Sequence, residues 1–319
     1  MICVTGSSGF VGKALVWHLA ERLGLQVVVG LRTGEPTVWP QGVQCRNLGT
    51  LGTDKLDALD LTGISTLVHC AGRAHIMQDV DADPLLAYRR VNTQGTLDLA
   101  QRAVKAGVRR FIFISSIKVN GESTSPGQTF HADDTPHPRD PYAISKLEAE
   151  QALQNLARET GLEVVIIRPP LIYGPGVRAN FAALMRGVAR GWPLPLGAVN
   201  NLRSLVALDN LTDLISVCIQ HPGAANQTFL VSDGRDVSIP QVLRAMALAQ
   251  NRRITLLPIP PVILRAMAAL LGKSTAIARL CGNLQVNIDK TRQLLDWQPP
   301  ITLDEGLRRT MCENRYHET

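Results

Sequence analysis

Several patterns that define whole classes of protein are missing from this sequence. No apolar run is long enough to cross a membrane, and the chain starts with an apolar strand pattern and a glycine-rich loop, so we expect neither a membrane-inserted segment nor a signal peptide. The six cysteines form no C-x-x-C pair, which favours reduced thiols and a cytoplasmic location. The seven histidines show neither H-x-H nor H-E-x-x-H spacing, so no metal site is expected.

Aromatic residues are also scarce, at 4% of 319 residues, and they do not alternate with the basic residues that give the net charge of +6. Lys and Arg are scattered along the chain, so no nucleic-acid-binding surface is expected. A mild positive charge favours solubility and also suits an anionic diphosphate substrate.

A glycine-rich loop follows the first apolar run. Glycines 6, 9 and 12 separate the strand pattern of residues 1–4 from an apolar helix pattern. Such glycines allow a tight turn, a close approach to a pyrophosphate and close packing of helix on strand, and the helix N-terminus directs N–H groups at the phosphates. The alternative is a plain strand–helix turn. The residues expected to contact a dinucleotide here are Gly6, Ser8, Gly9, Phe10, Val11 and Gly12.

The first half of the chain alternates apolar runs with helical patterns, which predicts a doubly wound parallel α/β sheet, the Rossmann arrangement. We expect a dinucleotide-binding domain over residues 1–168, to which part of 204–232 returns, and a smaller, interleaved substrate lobe over 169–319. The predicted strands are Ile2–Thr5, Gln26–Gly30, Thr66–Ala71, Phe111–Ser115 and Val164–Arg168, and the predicted helices are Lys13–Leu23, Leu86–Ala106 and Tyr142–Thr160.

The most apolar stretch of the second half is Pro258–Leu271. Such a stretch fits either a helix lying on a membrane surface or a helix of the substrate lobe. Pro260 and Pro261 open the stretch and few basic residues line it, so the substrate-lobe helix is favoured.

Tyr142 and Lys146 stand four residues apart in a helical pattern, so both lie on one helix face. A phenol is a poor base at neutral pH, but an ammonium ion about 4–6 Å away favours the phenolate and, at about 4 kcal/mol, would lower its pKa by about three units. The pair is therefore predicted to exchange a proton with a sugar hydroxyl or carbonyl while hydride moves to or from a nicotinamide. The alternative is an ordinary surface pair.

Ser115 and Ser116 end the strand before this helix, at the sheet edge where such folds bind ligands. With the glycine loop, Tyr142 and Lys146, they resemble the extended short-chain dehydrogenase/reductases, the nucleotide-sugar epimerase/dehydratase family. The resemblance spans essentially the whole chain and includes Val91–Thr96, Arg168–Pro175 and Leu295–Pro299. It implies that Ser116, rather than Ser115, is the catalytic hydroxyl.

The resemblance also implies further site residues. Ala71, like Lys146, is expected to contact the cofactor, and Asn92 to be a structural polar residue near the active site. Asn180 and Phe181 are expected to contact a UDP-sugar and Arg203 to hold its diphosphate, for which a guanidinium is well shaped. The alternatives are a core role for Phe181 and a solvated charge for Arg203.

Three departures from the family pattern narrow the reaction. Ile117 and Lys118 stand where dehydratases of the family carry an acidic pair, so dehydration is not expected, and Lys118 either touches the substrate or faces solvent. Leu31 and Arg32 replace the acidic residue that holds the NAD ribose, which favours NADP, although NAD remains an alternative. Asn47 replaces an acidic residue near the adenine, which an amide can still contact.

These features predict an NADPH-dependent 4-ketoreductase of a UDP-2-acetamido-2,6-dideoxy-hexos-4-ulose. This interpretation rests on resemblance to a subgroup that makes bacterial surface polysaccharides such as O-antigen. The alternatives are a UDP-glucose or UDP-N-acetylglucosamine 4-epimerase with bound NAD and, less favoured because Tyr142 and Lys146 are intact, a non-catalytic NADP-binding regulator. The family also implies a homodimer.

Overall fold

A parallel β-sheet forms the centre of the first part of the chain. The computed structural model describes residues 1–32, 38–53, 60–74, 83–270 and 274–312, and over these residues the sheet has seven strands. All neighbouring strands are parallel, in the order β3-β2-β1-β4-β5-β6-β9. Successive strands are added on one side of β1 as far as β3 and then on its other side from β4 onward, which confirms the predicted doubly wound fold. The strands are β1 (Ile2–Thr5), β2 (Val27–Leu31), β3 (Gln44–Asn47), β4 (Thr66–His69), β5 (Arg110–Ile114), β6 (Glu163–Arg168) and β9 (Gln227–Leu230).

The five predicted strands are confirmed to within two residues at each end, because each is an apolar run that the sheet buries on both faces. Strand β3 was not predicted. It is polar and mostly exposed because it lies at the edge of the sheet, so only one neighbour and one face could shield it.

Helices cover both faces of the sheet, and a separate apolar cluster packs against each face. One cluster joins α1 and α6 to the sheet, for example through Leu15, Val29 and Leu211. The other joins α3 and α4, for example through Leu99 and Leu153. The helices are α1 (Phe10–Trp17, continued by a π-helical turn at His18–Arg22), α2 (Pro84–Tyr88), α3 (Gly95–Lys105, joined to α2 by the π-helical segment Arg89–Gln94), α4 (Pro141–Thr160) and α6 (Leu208–Gln220).

The predicted helix Leu86–Ala106 is thus three consecutive helical segments, which start at Pro84 after the N-cap Asp83. The predicted helix Tyr142–Thr160 is confirmed with one added residue. It ends at Gly161, whose φ of +75° is the left-handed cap conformation that glycine adopts without strain.

The remaining elements form a smaller lobe around a third apolar cluster, which includes Phe181, Leu243 and Leu264. A two-stranded parallel sheet and five helices contribute to it, while α10 packs near β9. These elements are β7 (Leu171–Tyr173), α5 (Ala179–Ala189), β8 (Leu205–Ala207), α7 (Ile239–Ala249), α8 (Pro261–Leu270), α9 (Ser274–Cys281), α10 (Asp289–Leu295) and α11 (Leu303–Cys312).

The segment between β5 and α4 is fastened to this lobe by backbone hydrogen bonds. The Thr124 N–H donates to the Asn283 carbonyl at 3.1 Å, and the Phe130 N–H to the Gln285 carbonyl at 2.8 Å. The two parts of the chain therefore meet beside the start of α4. In the described residues, none of the helices combines the length and the apolar character needed to cross a bilayer.

Candidate active site

The loop after β1 is packed so closely that no Cβ fits at Gly6 or Gly12. Gly6 has a φ of +71°, and a Cβ there would lie 2.4 Å from the Ala71 backbone nitrogen. A Cβ on Gly12 would lie 2.2 Å from the Gly6 carbonyl oxygen. The loop therefore needs glycine at both positions, and it brings the end of β1, the start of α1 and the residues after β4 together.

Helix α1 begins at this loop with its N–H groups available to a ligand. Gly9 is the N-cap, no side chain caps the helix, and Ser8 and Gly9 are exposed. The Ser7 Oγ is buried and has no hydrogen-bond partner among the described residues. A backbone cradle, an uncapped helix N-terminus and an unsatisfied hydroxyl fit a pyrophosphate. Phe10 and Val11 lie in the first turn, so their expected contact with the cofactor stays a prediction consistent with this geometry.

The ends of β2 and β3 lie side by side, with Leu31 paired to Asn47. Arg32 follows Leu31 and is exposed. The Asn47 side chain accepts a hydrogen bond from the Gly49 N–H at 2.9 Å. Arg32 and Asn47 thus share one corner of the carboxyl edge, where an adenosine would lie in this fold. Their roles stay predictions.

Buried polar contacts fix the end of β4 and the segment after it. Both ring nitrogens of His69 are engaged, Nδ1 with the Thr5 hydroxyl at 2.6 Å and Nε2 with the Thr96 hydroxyl at 3.1 Å. Burial, with the Lys146 charge, lowers the His69 pKa to about 3, so this ring is neutral and structural. The Asn92 side chain binds the Arg73 backbone N–H and carbonyl and donates to the Ser145 hydroxyl, which ties this segment to α4.

Tyr142 and Lys146 lie one turn apart near the start of α4. Asp140 caps this helix by accepting the Ala143 N–H at 2.8 Å, and Pro141 fills its first turn. Lys146 is buried, with its Nζ 3.9 Å from the centroid of the Phe113 ring. The helix therefore positions both side chains at the carboxyl edge of the sheet.

The prediction that Lys146 lowers the Tyr142 pKa is wrong for this arrangement. Burial raises the pKa of Tyr142 to about 12, with Asp140 and Tyr88 adding to the rise and a hydrogen bond with the Ser116 side chain opposing it. Burial lowers the pKa of Lys146 to about 7, although Glu150 favours its charged form. Desolvation is the largest cause of both shifts, so the phenol is neutral at neutral pH.

The two serines after β5 have different partners. The Ser115 hydroxyl donates to the buried carboxylate of Glu150. The Ser116 hydroxyl caps the 3₁₀ turn Ile117–Val119, accepting the Lys118 N–H at 3.3 Å, and hydrogen-bonds Tyr142. Only Ser116 is placed beside the phenol, which supports the predicted choice between them.

Lys118 lies close to Tyr142 as well. Its Nζ forms an ion pair with Asp140 and lies 5.9 Å from the centroid of the Tyr142 ring. The half-buried ammonium therefore lies at the site instead of pointing away from it, although its contact with a substrate stays a prediction.

The three predicted substrate residues of the second lobe differ in setting. Asn180 is exposed on α5, whereas Phe181 is buried and stacks on Tyr173 with ring centroids 5.7 Å apart. The Arg203 Nη1 donates to the backbone carbonyls of Arg279 at 2.6 Å and Gly282 at 3.1 Å. Phe181 and Arg203 thus support the lobe itself, and the contacts of all three with a sugar nucleotide stay predictions.

Sequence reasoning missed Asp140 and Glu150, which hold the catalytic helix in place. Glu150 pairs with Arg168 at 2.6 Å, and both side chains are buried. An Asp before a Pro that opens a helix is a recognisable cap, and Glu150 continues the four-residue spacing of Tyr142 and Lys146. Among the described residues, no three His, Cys, Asp or Glu side chains are grouped to hold a metal ion.

Comparisons with known proteins agree with this geometry. The model of the NAD dependent epimerase/dehydratase family matches residues 2–232. A UDP-glucose 4-epimerase of Vibrio cholerae is 48% identical over 310 residues, which cover 97% of this chain and 94% of that protein.

Two solved structures share the fold over 97% of this chain and of their own chains. A UDP-glucose 4-epimerase of Thermotoga maritima, with UDP-glucose, is 23% identical with a TM-score of 0.77. RMD from Pseudomonas aeruginosa, complexed with NADPH, is 24% identical with a TM-score of 0.75.

Proposed function

Because this chain belongs to the NAD dependent epimerase/dehydratase family, we propose that it is a 4-epimerase of a UDP-hexose that works with a bound nicotinamide dinucleotide. The observation that carries the proposal is the full-length likeness, at 48% identity, to a UDP-glucose 4-epimerase. It favours the epimerase, which the sequence analysis placed second, over the 4-ketoreductase.

Ser116, Tyr142 and Lys146 supply the proton chemistry that this reaction needs. The glycine loop and the start of α1 would hold the dinucleotide, which would supply hydride transfer at C4. In its phenolate form, Tyr142 would take the proton of the C4 hydroxyl and later return it to the 4-keto oxygen. Ser116 would hydrogen-bond that oxygen, and its hydrogen bond with Tyr142 lowers the Tyr142 pKa and so favours the phenolate.

The residues after Ser116 support epimerisation over dehydration. Ile117 is buried in the apolar cluster that joins α1 and α6 to the sheet, and Lys118 carries the opposite charge to an acid. The nearby carboxylate is Asp140, which is occupied by Lys118 and by capping α4. These positions therefore offer no carboxylic acid to expel water from the sugar.

One observation favours the 4-ketoreductase as a second candidate. Leu31 and Arg32 end β2 without the acidic residue that would select the ribose of NAD, and a guanidinium suits the 2′-phosphate of NADP. A net reductase takes fresh NADPH in each cycle, whereas an epimerase returns its hydride. A non-catalytic NADP-binding role has less support, because the proton-transfer groups are intact and the comparisons are with enzymes.

The deciding experiment supplies purified protein with UDP-glucose or UDP-N-acetylglucosamine and no added nucleotide. Formation of the C4 epimer, seen by NMR, is the expected result. A parallel arm supplies UDP-2-acetamido-2,6-dideoxy-hexos-4-ulose with NADPH or NADH. Stoichiometric nucleotide oxidation there, without epimerisation in the first arm, would transfer the assignment to the ketoreductase.

Two finer expectations are part of this proposal. The family implies a homodimer formed through the helices over 84–105 and α4, which light scattering of the purified protein tests. The resemblance to surface-polysaccharide enzymes implies that the product is used in glycan assembly. Identification of the sugar that the protein accepts tests this expectation.

A further inference from the structure

Helix α8 presents an apolar face that no other part of the described chain covers. Its inward stripe is narrow, with only Leu264 and Ala268 buried. At 100° per residue, the exposed apolar side chains span roughly 160° of the opposite side. This is unusual for a helix that faces water on that side. The largest of these side chains are Val262, Ile263, Met267 and Leu270, which are 74%, 49%, 54% and 88% exposed.

The same lobe has a strong charge bias. Residues 169–208 and 237–288, which make up most of the lobe, contain ten Lys and Arg and no Asp or Glu, so the remainder of the chain carries a net charge of −4. Many of these basic side chains are exposed, so the bias lies at the surface. The exposed ones are Arg178, Arg186, Arg190, Arg244, Arg252, Arg253, Arg265 and Arg279.

An aromatic side chain and arginines adjoin the N-terminal end of α8. Leu194 forms an isolated β-bridge with Leu256, in the segment before α8. The Leu194 N–H donates to the Thr255 carbonyl at 3.0 Å, and the Leu194 carbonyl accepts the Leu257 N–H at 2.8 Å. Trp192, two residues before Leu194, is 53% exposed, and the Arg190 Cζ lies 4.9 Å from the centroid of its ring. Apolar and cationic groups are therefore mixed along this edge of the lobe.

We propose that α8 and the adjoining edge at Trp192 and Leu257 form a surface that docks on an anionic lipid bilayer. A helix with a wide aliphatic face binds in the plane of a bilayer with its apolar side chains at the headgroup–acyl boundary, and flanking arginines are attracted to anionic lipids. This needs no spanning segment. Docking would turn the acidic part of the chain, with the nucleotide-binding sheet, away from the membrane.

The charge selects a bilayer over a second copy of the chain. In a twofold interface the same patch meets itself, which would bring two strongly positive lobes together. Anionic lipids supply the opposite charge, and a fluid bilayer accommodates a convex face without a matching groove. The sequence predicts that this stretch is a helix of the substrate lobe, and Leu264 and Ala268 are buried there; docking uses the rest of the helix. The proposal is independent of which sugar the site accepts.

Co-sedimentation with vesicles tests the proposal on the full chain. The wild type should bind vesicles of phosphatidylglycerol and phosphatidylcholine, bind less at high salt, and bind weakly to phosphatidylcholine alone. The triple variant Val262→Gln, Met267→Gln, Leu270→Gln should partition at least about tenfold more weakly with unchanged turnover. The matched control, Leu23→Gln with Leu294→Gln, replaces exposed leucines outside the basic ranges and should bind as the wild type does.

Two results would overturn it. One is a wild type that ignores anionic vesicles, or a triple variant that binds them as well as the wild type. The other is a triple variant that changes the oligomeric state in lipid-free solution while the wild type shows no vesicle binding, which would make this face an interface between copies. If the triple variant does not fold, Arg253→Gln with Arg265→Gln provides the second test and should bind anionic vesicles more weakly.

Discussion

The Nζ of Lys146 lies 3.9 Å from the centroid of the Phe113 ring, and both side chains are almost inaccessible to water. The ring face attracts the cation, but burial removes its hydration and lowers the Lys146 pKa to about 7. Tyr142, one turn earlier, has a pKa raised to about 12. Folding thus holds in the site a lysine that is easily neutralised and a tyrosine that is hard to ionise.

The first prediction concerns stability as a function of pH. Between about pH 7 and 10 the unfolded chain keeps Lys146 protonated while the folded chain does not, so stability rises with pH across this window. The Lys146→Met variant lacks this contribution. Urea unfolding at about pH 7 and 9 should show wild-type stability gaining roughly 2 kcal/mol relative to the variant. An unchanged difference would contradict the lowered pKa.

The second prediction separates catalysis from nucleotide binding. Tyr142→Phe keeps the ring that packs edge-on against Tyr88 at 6.0 Å but removes the proton that the reaction exchanges. We expect turnover to fall by about a hundredfold to ten-thousandfold while the affinity for the dinucleotide is unchanged. Tyr88→Phe, which alters the neighbouring ring, is the control and should retain turnover. Full activity of Tyr142→Phe would return support to a non-catalytic role.

The third prediction distinguishes the adjacent serines. Ser116→Ala should lower kcat about a hundredfold with little change in stability, because its hydroxyl lies beside Tyr142. Ser115→Ala leaves the buried Glu150 without one of its donors and should cost about 1–3 kcal/mol of unfolding free energy with little change in kcat. Kinetics and urea melts on both variants measure this. Opposite assignments would show that Ser115 is the catalytic hydroxyl.

The sheet and the placement of Tyr142 and Lys146 could be predicted because local patterns encode them, whereas the choice of Ser116 over Ser115 came from the family resemblance. Apolar runs mark buried strands, and spacing places side chains on one helix face. Strand β3 could not be predicted, because an edge strand of polar residues has no such pattern. Part of residues 204–232 is expected to return to the sheet, but the pairing of β9 with β6 depends on packing between distant segments, which periodicity does not record.

The pKa values of the site residues were harder to predict than the identity of those residues. Spacing shows that Tyr142 and Lys146 are neighbours, and Coulomb attraction alone suggests a lowered Tyr142 pKa. How completely each side chain is withdrawn from water depends on Phe113, Tyr88 and the rest of the fold. The same holds for Arg203, whose contacts with the carbonyls of Arg279 and Gly282 arise only when the second lobe is assembled.

The fourth prediction concerns Asp140, which caps α4 and pairs with Lys118. Burial raises the pKa of Asp140, but hydrogen bonds from Lys118 and the Ala143 N–H lower it by more, so the folded pKa lies below the unfolded one. The ionised carboxylate therefore adds stability above the unfolded pKa, and this stability is lost as the pH falls through the folded pKa. Asp140→Asn keeps the cap, whereas Asp140→Ala should cost about 1 kcal/mol more. Because the Asp140 charge raises the Tyr142 pKa, Asp140→Asn should move the limb of the kcat–pH profile that reports Tyr142 to lower pH. A profile identical to the wild type would contradict this coupling.

The last prediction concerns the choice of cofactor at the corner shared by Arg32 and Asn47. A guanidinium that meets the 2′-phosphate contributes a charge-assisted hydrogen bond, so Arg32→Ala should weaken NADP⁺ binding about tenfold or more and leave NAD⁺ binding unchanged. Titration calorimetry of both nucleotides measures this, with Arg158→Ala on α4 as a control for loss of an exposed charge. If NAD⁺ already binds the wild type more tightly, and Arg32→Ala changes neither affinity, Arg32 does not select the cofactor. The corner would then suit an enzyme that retains NAD⁺ and returns its hydride. The nucleotide affinities therefore help to distinguish the epimerase from the reductase without depending on which sugar is supplied.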